Sequence, residues 1–460
     1  MDRLPQELVA RIAGYLPDQC EGSQIRPALA TLSRPWQYAI ETFTFTSLRI
    51  TSNDLEEFKL VFTASTTRRR FLQDLHLRWP FAGKLNLAID MSSASDYTHP
   101  RARPEDLLND RFRYSYIRFT NAVSKVVSRV TSLYMQSGPR FPDPASLVAL
   151  TAAFPNLERI NWPFEDPAHY PALRRQKMYD FSRAIASFQP PLTCKTLYIH
   201  VSTPWYPHKE RLYNLTSGHD SICGALRAML GRSNIQHLDY EGPIDPTLFW
   251  PQRASSLYKD DTCSWKSLRE IEVRFSLGSL AGQWFFEGLP GNRFYDEASD
   301  VPISPDAASR LLLPPGYYGS DEQNAEAAAW AKAMEMPEDE HGFTKNGCEF
   351  RCVPRDEAIL PLLAAAARRL ACTPSLCRVH LEAALQLDKG VWFFSYQAPG
   401  GMSDWDEYVD CAHGNPLGRA RVFLHAQDWR PDEKTMALLQ GVGKARCGED
   451  AIVTFLPFLY

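Results

Sequence analysis

The chain has 460 residues, of which 44% are hydrophobic and 23% are charged, an ordinary composition for a globular protein of roughly two to four domains. Its formal charge of −4 gives no signature of binding to nucleic acid or to an anionic membrane. Ten scattered cysteines argue against a disulfide framework, so we expect reduced thiols and a cytoplasmic or nuclear location. The most apolar run, residues 359–367, is too short to span a bilayer, and the charged N-terminus does not read as a secretory leader.

Residues 5–16 predict a short amphipathic helix. Pro5 suits the first helical position, where a missing N–H costs nothing. Leu8, Ile12 and Leu16 then recur every four residues along one stripe, and a proline follows. Taken alone, such a helix is more simply explained as the first core helix of a domain.

A second helical pattern follows at residues 28–45, with the sequence ALATLSRPWQYAIETFTF. Leu32 continues an apolar stripe, and Ser33 is the predicted N-cap of the helix that carries Trp36. The combined order is Leu-Pro-x-Glu-Leu-x3-Ile-x2-Tyr-Leu, then Leu-x2-Leu-Ser-Arg-x-Trp-x2-Ala-Ile-Glu, then a Thr-Phe pair. This order, over residues 3–45, resembles an F-box of the kind that fungal F-box proteins carry at the N-terminus.

The resemblance implies that residues 1–45 form a three-helix module that binds the Skp-type adaptor of an SCF-type (cullin–RING) ubiquitin ligase. A module this small buries too little apolar surface to be comfortably stable alone, so an apolar stripe left for a partner helix gains by docking. Carried over position by position, the implied adaptor contacts are Leu4, Pro5, Leu8, Ile12, Leu16, Leu32 and Trp36. Leu8 and Ile12 lie in the middle of the stripe, and we expect them to matter most.

Residues 46–277 contain a recurring hexad of the form Φ-x-x-Φ-x-Φ, which is how a leucine-rich repeat encodes its inner strand. Seven copies in the chain start at residues 72, 130, 157, 194, 235, 268 and 376. Only the step from residue 130 to residue 157 falls within the usual period of roughly 20–29 residues. Helical patterns separate several copies, at 176–188, 221–231 and 357–371. We predict an irregular leucine-rich-repeat-like α/β solenoid, with a non-repetitive α/β domain built on one sheet as the alternative.

The segment 278–357 interrupts the repeat and is the acidic part of the chain, with fifteen Asp and Glu against six Lys and Arg. Because it is rich in Pro and Gly turns, we predict a partly disordered insertion, with a helix at 323–336, that would favour a basic partner. Residues 358–460 are predicted to close the repeat region. Their strand, helix and strand patterns lie at 419–426, 432–443 and 451–458.

The chain carries no recognised catalytic signature. The sequence GVGKA at 441–445 resembles the tail of a phosphate loop, but Leu438 replaces the leading glycine and Ala445 follows Lys444. The acidic cluster at 403–410 lacks the spacing of a calcium loop, and the cysteines and histidines lack metal-ligand spacing. We therefore predict a protein that is not an enzyme and that has no metal and no cofactor.

Three functions stay open at this level. The favoured one is the substrate-receptor subunit of an SCF-type E3 ubiquitin ligase, whose repeat region recruits an unidentified target protein and whose contribution to ubiquitination is proximity. The alternative is a non-catalytic scaffold or interaction protein whose N-terminal helices cap its own solenoid. A hydrolase or transferase with an unrecognised site is the least favoured. The sequence does not choose between the repeat face and the acidic insertion as the surface that binds the target.

Overall fold

The computed structural model shows a mixed α/β protein built on one large, mostly parallel sheet, which confirms the predicted α/β class. The residues that it describes are 8–9, 12, 30–51, 57–58, 60–61, 74–78, 116, 118, 130–136, 142–166, 170–202, 212–216, 222–251, 265–288, 302–303, 320, 322–327, 351–385, 390–409 and 416–457.

Helices and strands alternate through most of the described chain. The α-helices are α1 (Arg34–Thr46), α2 (Pro144–Thr151), α3 (Pro171–Ser187), α4 (Ile222–Gly231), α5 (Asp356–Cys372) and α6 (Glu433–Cys447). The strands are β1 (Ser47–Thr51), β2 (Asp74–Arg78), β3 (Ser132–Gln136), β4 (Arg159–Glu165), β5 (Thr196–Ser202), β6 (His237–Gly242), β7 (Glu270–Phe275), β8 (Phe286–Gly288), β9 (Arg351–Pro354), β10 (Arg378–Ala384), β11 (Val391–Gln397), β12 (Arg421–His425) and β13 (Ile452–Phe455).

Eleven strands form the large sheet, in the order β1 to β7 followed by β10 to β13. Strands β1 to β7 and β10 are parallel to their neighbours, β11 is antiparallel to β10 and β12, and β13 is parallel to β12. All seven predicted hexads lie at strands of this sheet, namely β2 to β7 and β10, and each strand starts two residues after the first residue of its hexad. The hexads were therefore correct as strand signals, whereas β1 and β11 were not predicted.

One face of the sheet forms the main core. In β6 and β7 the buried residues alternate along the strand, as expected for a strand with one covered face. Leu238 and Ile271 from these strands join Phe181 of α3, Leu226 of α4 and Leu362 of α5 in one continuous buried cluster. The helices therefore pack against the face to which these alternate residues point.

Both ends of the predicted acidic insertion belong to the folded body. Strands β8 and β9 pair antiparallel across it, and Trp284 and Arg351 are buried. The guanidinium of Arg351 lies 4.4 Å from the centre of the Trp284 ring and donates a hydrogen bond to the carbonyl of Phe286 at 3.1 Å. Most of the remaining segment lies outside the described residues, and of the predicted helix at 323–336 only 323–327 are described, all of them helical.

The C-terminal region contains the predicted strand, helix and strand, as β12, α6 and β13. The glycine-containing sequence at 441–445 lies inside α6, so it forms no phosphate loop. The side chain of Asp432 caps α6 by accepting a hydrogen bond from the N–H of Thr435 at 2.8 Å, and Gly448 ends the helix with a φ of +80°. Among the described helices, none combines the length and the apolar character needed to cross a membrane.

Candidate functional site

The described N-terminal residues have a small apolar cluster of their own, separate from the core beneath the sheet. Its buried members are Val9, Trp36, Ala39 and Ile40, with Ala30 packed at the edge. Helix α1 begins directly after Ser33, at the predicted N-cap position, and the carbonyl of Ser33 accepts a hydrogen bond from the N–H of Gln37 at 2.9 Å. This cluster gives the described N-terminal residues an inner side.

Three of the seven predicted adaptor contacts lie exposed on this module. Leu8 is 47% exposed, Ile12 is 43% exposed and Leu32 is 51% exposed. Leu8 and Ile12 are both helical and lie four residues apart, so they share one helix face, while Val9 points into the cluster. Large apolar side chains exposed on a small module are the feature that docking to a partner helix requires.

The other four predicted contacts are Trp36, Leu4, Pro5 and Leu16. Trp36 is only 5% exposed and packs inside the cluster, so it acts as a core residue rather than as the predicted contact. Leu4, Pro5 and Leu16 lie outside the described residues.

Tyr38 is an exposed aromatic residue of α1 that the sequence analysis did not select, with 51% of its surface accessible. The sequence contains the pattern that places Tyr38 on the outer face of the helix. Trp36, Ala39 and Ile40 follow helical i, i+3, i+4 spacing and take the inner face, which turns position 38 outward.

A second candidate surface lies on the solvent side of the sheet, across β5, β6, β7 and β10. We call this surface the open face. Its twelve positions form three in-register rows of four: Thr196, His237, Glu270 and Arg378; then Tyr198, Asp239, Glu272 and His380; then His200, Glu241, Arg274 and Glu382. Five carboxylates and two arginines give the open face a formal charge of −3 with histidine neutral.

Arg274 is the central cation of the open face. Its guanidinium lies 3.2 Å from a carboxylate oxygen of Asp239, 3.1 Å from Glu272 and 3.5 Å from Glu241. One positive charge is therefore shared among three carboxylates. Arg274 keeps 44% of its side chain exposed, so solvent screens these contacts and each contributes little to stability.

Three histidines also contact carboxylates of the open face, among them Glu241, which Arg274 contacts as well. Nδ1 of His200 lies 2.8 Å from Glu241, Nδ1 of His237 lies 3.3 Å from Glu270, and Nε2 of His380 lies 3.1 Å from Glu382. The hydrogen bond from His380 holds the pKa of Glu382 below its ordinary value.

The pKa of Asp239 reflects its burial and its position among the other carboxylates of the open face. Its partial burial raises the pKa above the ordinary value for aspartate, and the negative charges of Glu272 and Glu241 raise it further against the opposing effect of Arg274. The charged form of Asp239 is thus held in the open face at some cost, mainly because the carboxylate is partly buried and also because two other carboxylates lie beside it.

The open face ends where residues 401–409 cover the sheet. The ring of Trp405 stacks on Phe393 of β11 at 5.1 Å between centroids, and Phe393, Phe423 and Val409 belong to a small buried cluster on this side. Phe393 lies in the same row as Glu382, so the covered strands continue the open face directly. The segment 401–409 therefore places an aromatic side chain beside the charged positions of the open face.

A shallow apolar groove of about 250 Å³ lies on the helical side, between α5 and α6. Its lining includes Trp250, Ala371, Cys372 and Leu438. It brings together no acid–base pair, so we derive no chemistry from it. Within the described residues, no group of three or more His, Cys, Asp and Glu is placed to hold a metal ion.

No family model, no curated protein and no solved structure matches this chain.

Proposed function

We propose that the chain is a substrate-receptor subunit of an SCF-type E3 ubiquitin ligase, with residues 1–45 as the F-box that binds a Skp-type adaptor. The observation that carries the proposal is the exposure of Leu8, Ile12 and Leu32 on a module with its own buried cluster. The motif order over residues 3–45 supplies the identity of the expected partner.

The proposal assigns the large sheet to a leucine-rich-repeat-like solenoid that recruits the target. Its support is the chain-order arrangement of eight parallel strands, β1 to β7 and β10, with helices packed against one face. Stacked strand–helix units bury a continuous core in this way and leave the opposite face for ligands. In this role the protein performs no chemistry and brings a target lysine close to the ubiquitin-loaded enzyme.

The test is adaptor binding by variants of the exposed stripe. We expect the double variant Leu8→Asp and Ile12→Asp to bind a purified Skp-type adaptor at least about 100-fold more weakly, since two carboxylates would be buried in an apolar interface. The matched control is Leu192→Asp with Leu417→Asp, two exposed leucines elsewhere on the chain. Binding by the wild type and the control, with loss only in the stripe variant, supports the proposal. Equal binding by the stripe variant, or no binding by the wild type, contradicts it.

The second candidate is a scaffold protein whose N-terminal helices cap its own sheet. One observation favours it: α1 ends at Thr46 and β1 begins at Ser47, so the helix runs without a break into the first strand. Repeat arrays need such terminal caps. A cap, however, packs its apolar residues onto the array, whereas the N-terminal cluster and the main core are separate among the described residues.

A further inference from the structure

The open face is uncovered on its solvent side in the described part of the chain. Helices cover the other face of the sheet, and residues 401–409 cover this side only over the last strands, β11 to β13. Across β5 to β10 the side chains stay accessible, including Tyr198 at 41% and Arg274 at 44%. This face combines residues from four strands that span positions 196 to 382 of the chain.

The negative charge of the open face favours a positively charged binding partner. Asp239 and Glu272 lie in adjacent strands of one row, and Glu241 and Glu382 flank Arg274 in the next. Neighbouring strands lie about 4.8 Å apart and alternate residues about 6.8 Å apart, so an incoming ammonium or guanidinium group reaches two or three of these carboxylates at once. An added cation would also relieve the crowding of three carboxylates around the single guanidinium of Arg274.

Aromatic side chains lie on two sides of the carboxylates of the open face. Tyr198 occupies the same row as Asp239 in the neighbouring strand, and its exposed ring offers a surface for the aliphatic stem of lysine or arginine. Trp405, stacked on Phe393, stands at the opposite border. Phosphate-bearing partners are repelled by the same carboxylates, so nucleic acids and anionic lipid surfaces do not fit this face.

We propose that the open face binds a lysine- or arginine-rich segment of the target protein. This inference rests on the proposed function, because it names the chemistry of the target that the ligase subunit recruits. It places the target on the sheet, one of the two surfaces that the sequence left open, whereas most of the acidic insertion lies outside the described residues.

The test measures binding of a short, fluorescein-labelled peptide of alternating lysine and glycine to the full-length protein, at neutral pH and low ionic strength. We expect saturable binding that weakens as salt is added. The variant Asp239→Asn, Glu241→Gln and Glu272→Gln keeps the side-chain shapes and removes three charges. We expect it to bind about tenfold more weakly, from the usual strength of exposed ion pairs.

The matched control removes three exposed carboxylates elsewhere, through Glu357→Gln, Asp428→Asn and Glu433→Gln, and changes the net charge equally. It should retain wild-type affinity within about twofold, since these positions lie off the open face. Circular dichroism verifies that both variants fold. Any of four outcomes overturns the inference. The first two are an equal loss of affinity in both variants and an unchanged affinity in the open-face variant. The other two are equal binding of a peptide with glutamate in place of lysine and the absence of saturable binding. Adaptor binding by the same open-face variant reports separately on the proposed function, because the N-terminal stripe is untouched.

Discussion

Gly443 of α6 has no room for a side chain. A Cβ placed on it would lie 2.3 Å from the backbone nitrogen of Ala451 and 2.4 Å from the carbonyl oxygen of Glu449. These backbone atoms belong to the turn that leads into β13 and have no free end that can move aside. Gly441, two residues earlier in the same helix, has no atom within 4 Å of the equivalent position. The two glycines of the sequence that resembled a phosphate loop therefore have different structural roles.

We predict opposite effects of alanine at these two positions. Gly443→Ala should lower the free energy of unfolding by roughly 1–3 kcal/mol, because α6 must shift away from the turn. Gly441→Ala should raise it by about 0.5–1 kcal/mol, because alanine restricts the unfolded chain and favours the helix. Urea unfolding of the two variants beside the wild type measures both. Equal effects of the two substitutions would show that close packing is not what requires Gly443.

At the scale of elements, an ion pair between Arg421 and Asp406 adds to the packing of Trp405 in holding the segment 401–409 onto the sheet. Nη1 of Arg421 lies 2.7 Å from Asp406, and Nη2 of the same side chain lies 2.5 Å from the carbonyl oxygen of Gly401. Asp406 also accepts a hydrogen bond from the N–H of Ser403 at 2.8 Å. Arg421 is fully buried, so the carboxylate of Asp406 is essential to balance its charge.

Asp406→Ala should release this segment. We expect amide hydrogen exchange over 403–409 to rise at least about tenfold, which corresponds to about 1.4 kcal/mol of lost local stability. The control is Asp404→Ala, at an exposed position of the same segment. Mass-spectrometric hydrogen exchange on both variants makes the comparison, and similar exchange in the two would refute the role given to the Arg421 pair.

The predicted strands and β11, one of the strands that were not predicted, differ in burial. In β6, β7 and β10 one face is buried and the other accessible, so apolar residues alternate and the hexad detects them. In β11 nearly every residue is buried, because the main core lies on one side and the segment 401–409 on the other. An unbroken apolar run carries no alternation, so period-based analysis gave no signal for β11.

At the scale of the whole molecule, the N-terminal cluster and the main core are distinct among the described residues. We predict that deleting residues 1–45 leaves the remaining chain with a cooperative thermal transition, since the large core beneath the sheet loses none of its described members. Thermal unfolding followed by circular dichroism is the measurement, with full-length protein as the reference. If the deletion variant aggregates or melts without cooperativity, the N-terminal helices act as a cap, which is the scaffold alternative.

The sequence by itself determined the elements whose signal is local. Nine strands (β2 to β7, β10, β12 and β13), helices α3 to α6 and the stripe through Leu8 and Ile12 were predicted in this way. They follow from the spacing of apolar residues within a few turns or a single strand. Only the tertiary structure decided which faces stay open. Helical spacing separates the face of Trp36 from that of Tyr38, but only the packing shows that the Trp36 face is the buried one. The open face joins carboxylates from strands more than a hundred residues apart, because their proximity depends on the order of strands in the sheet, which no short stretch of sequence encodes.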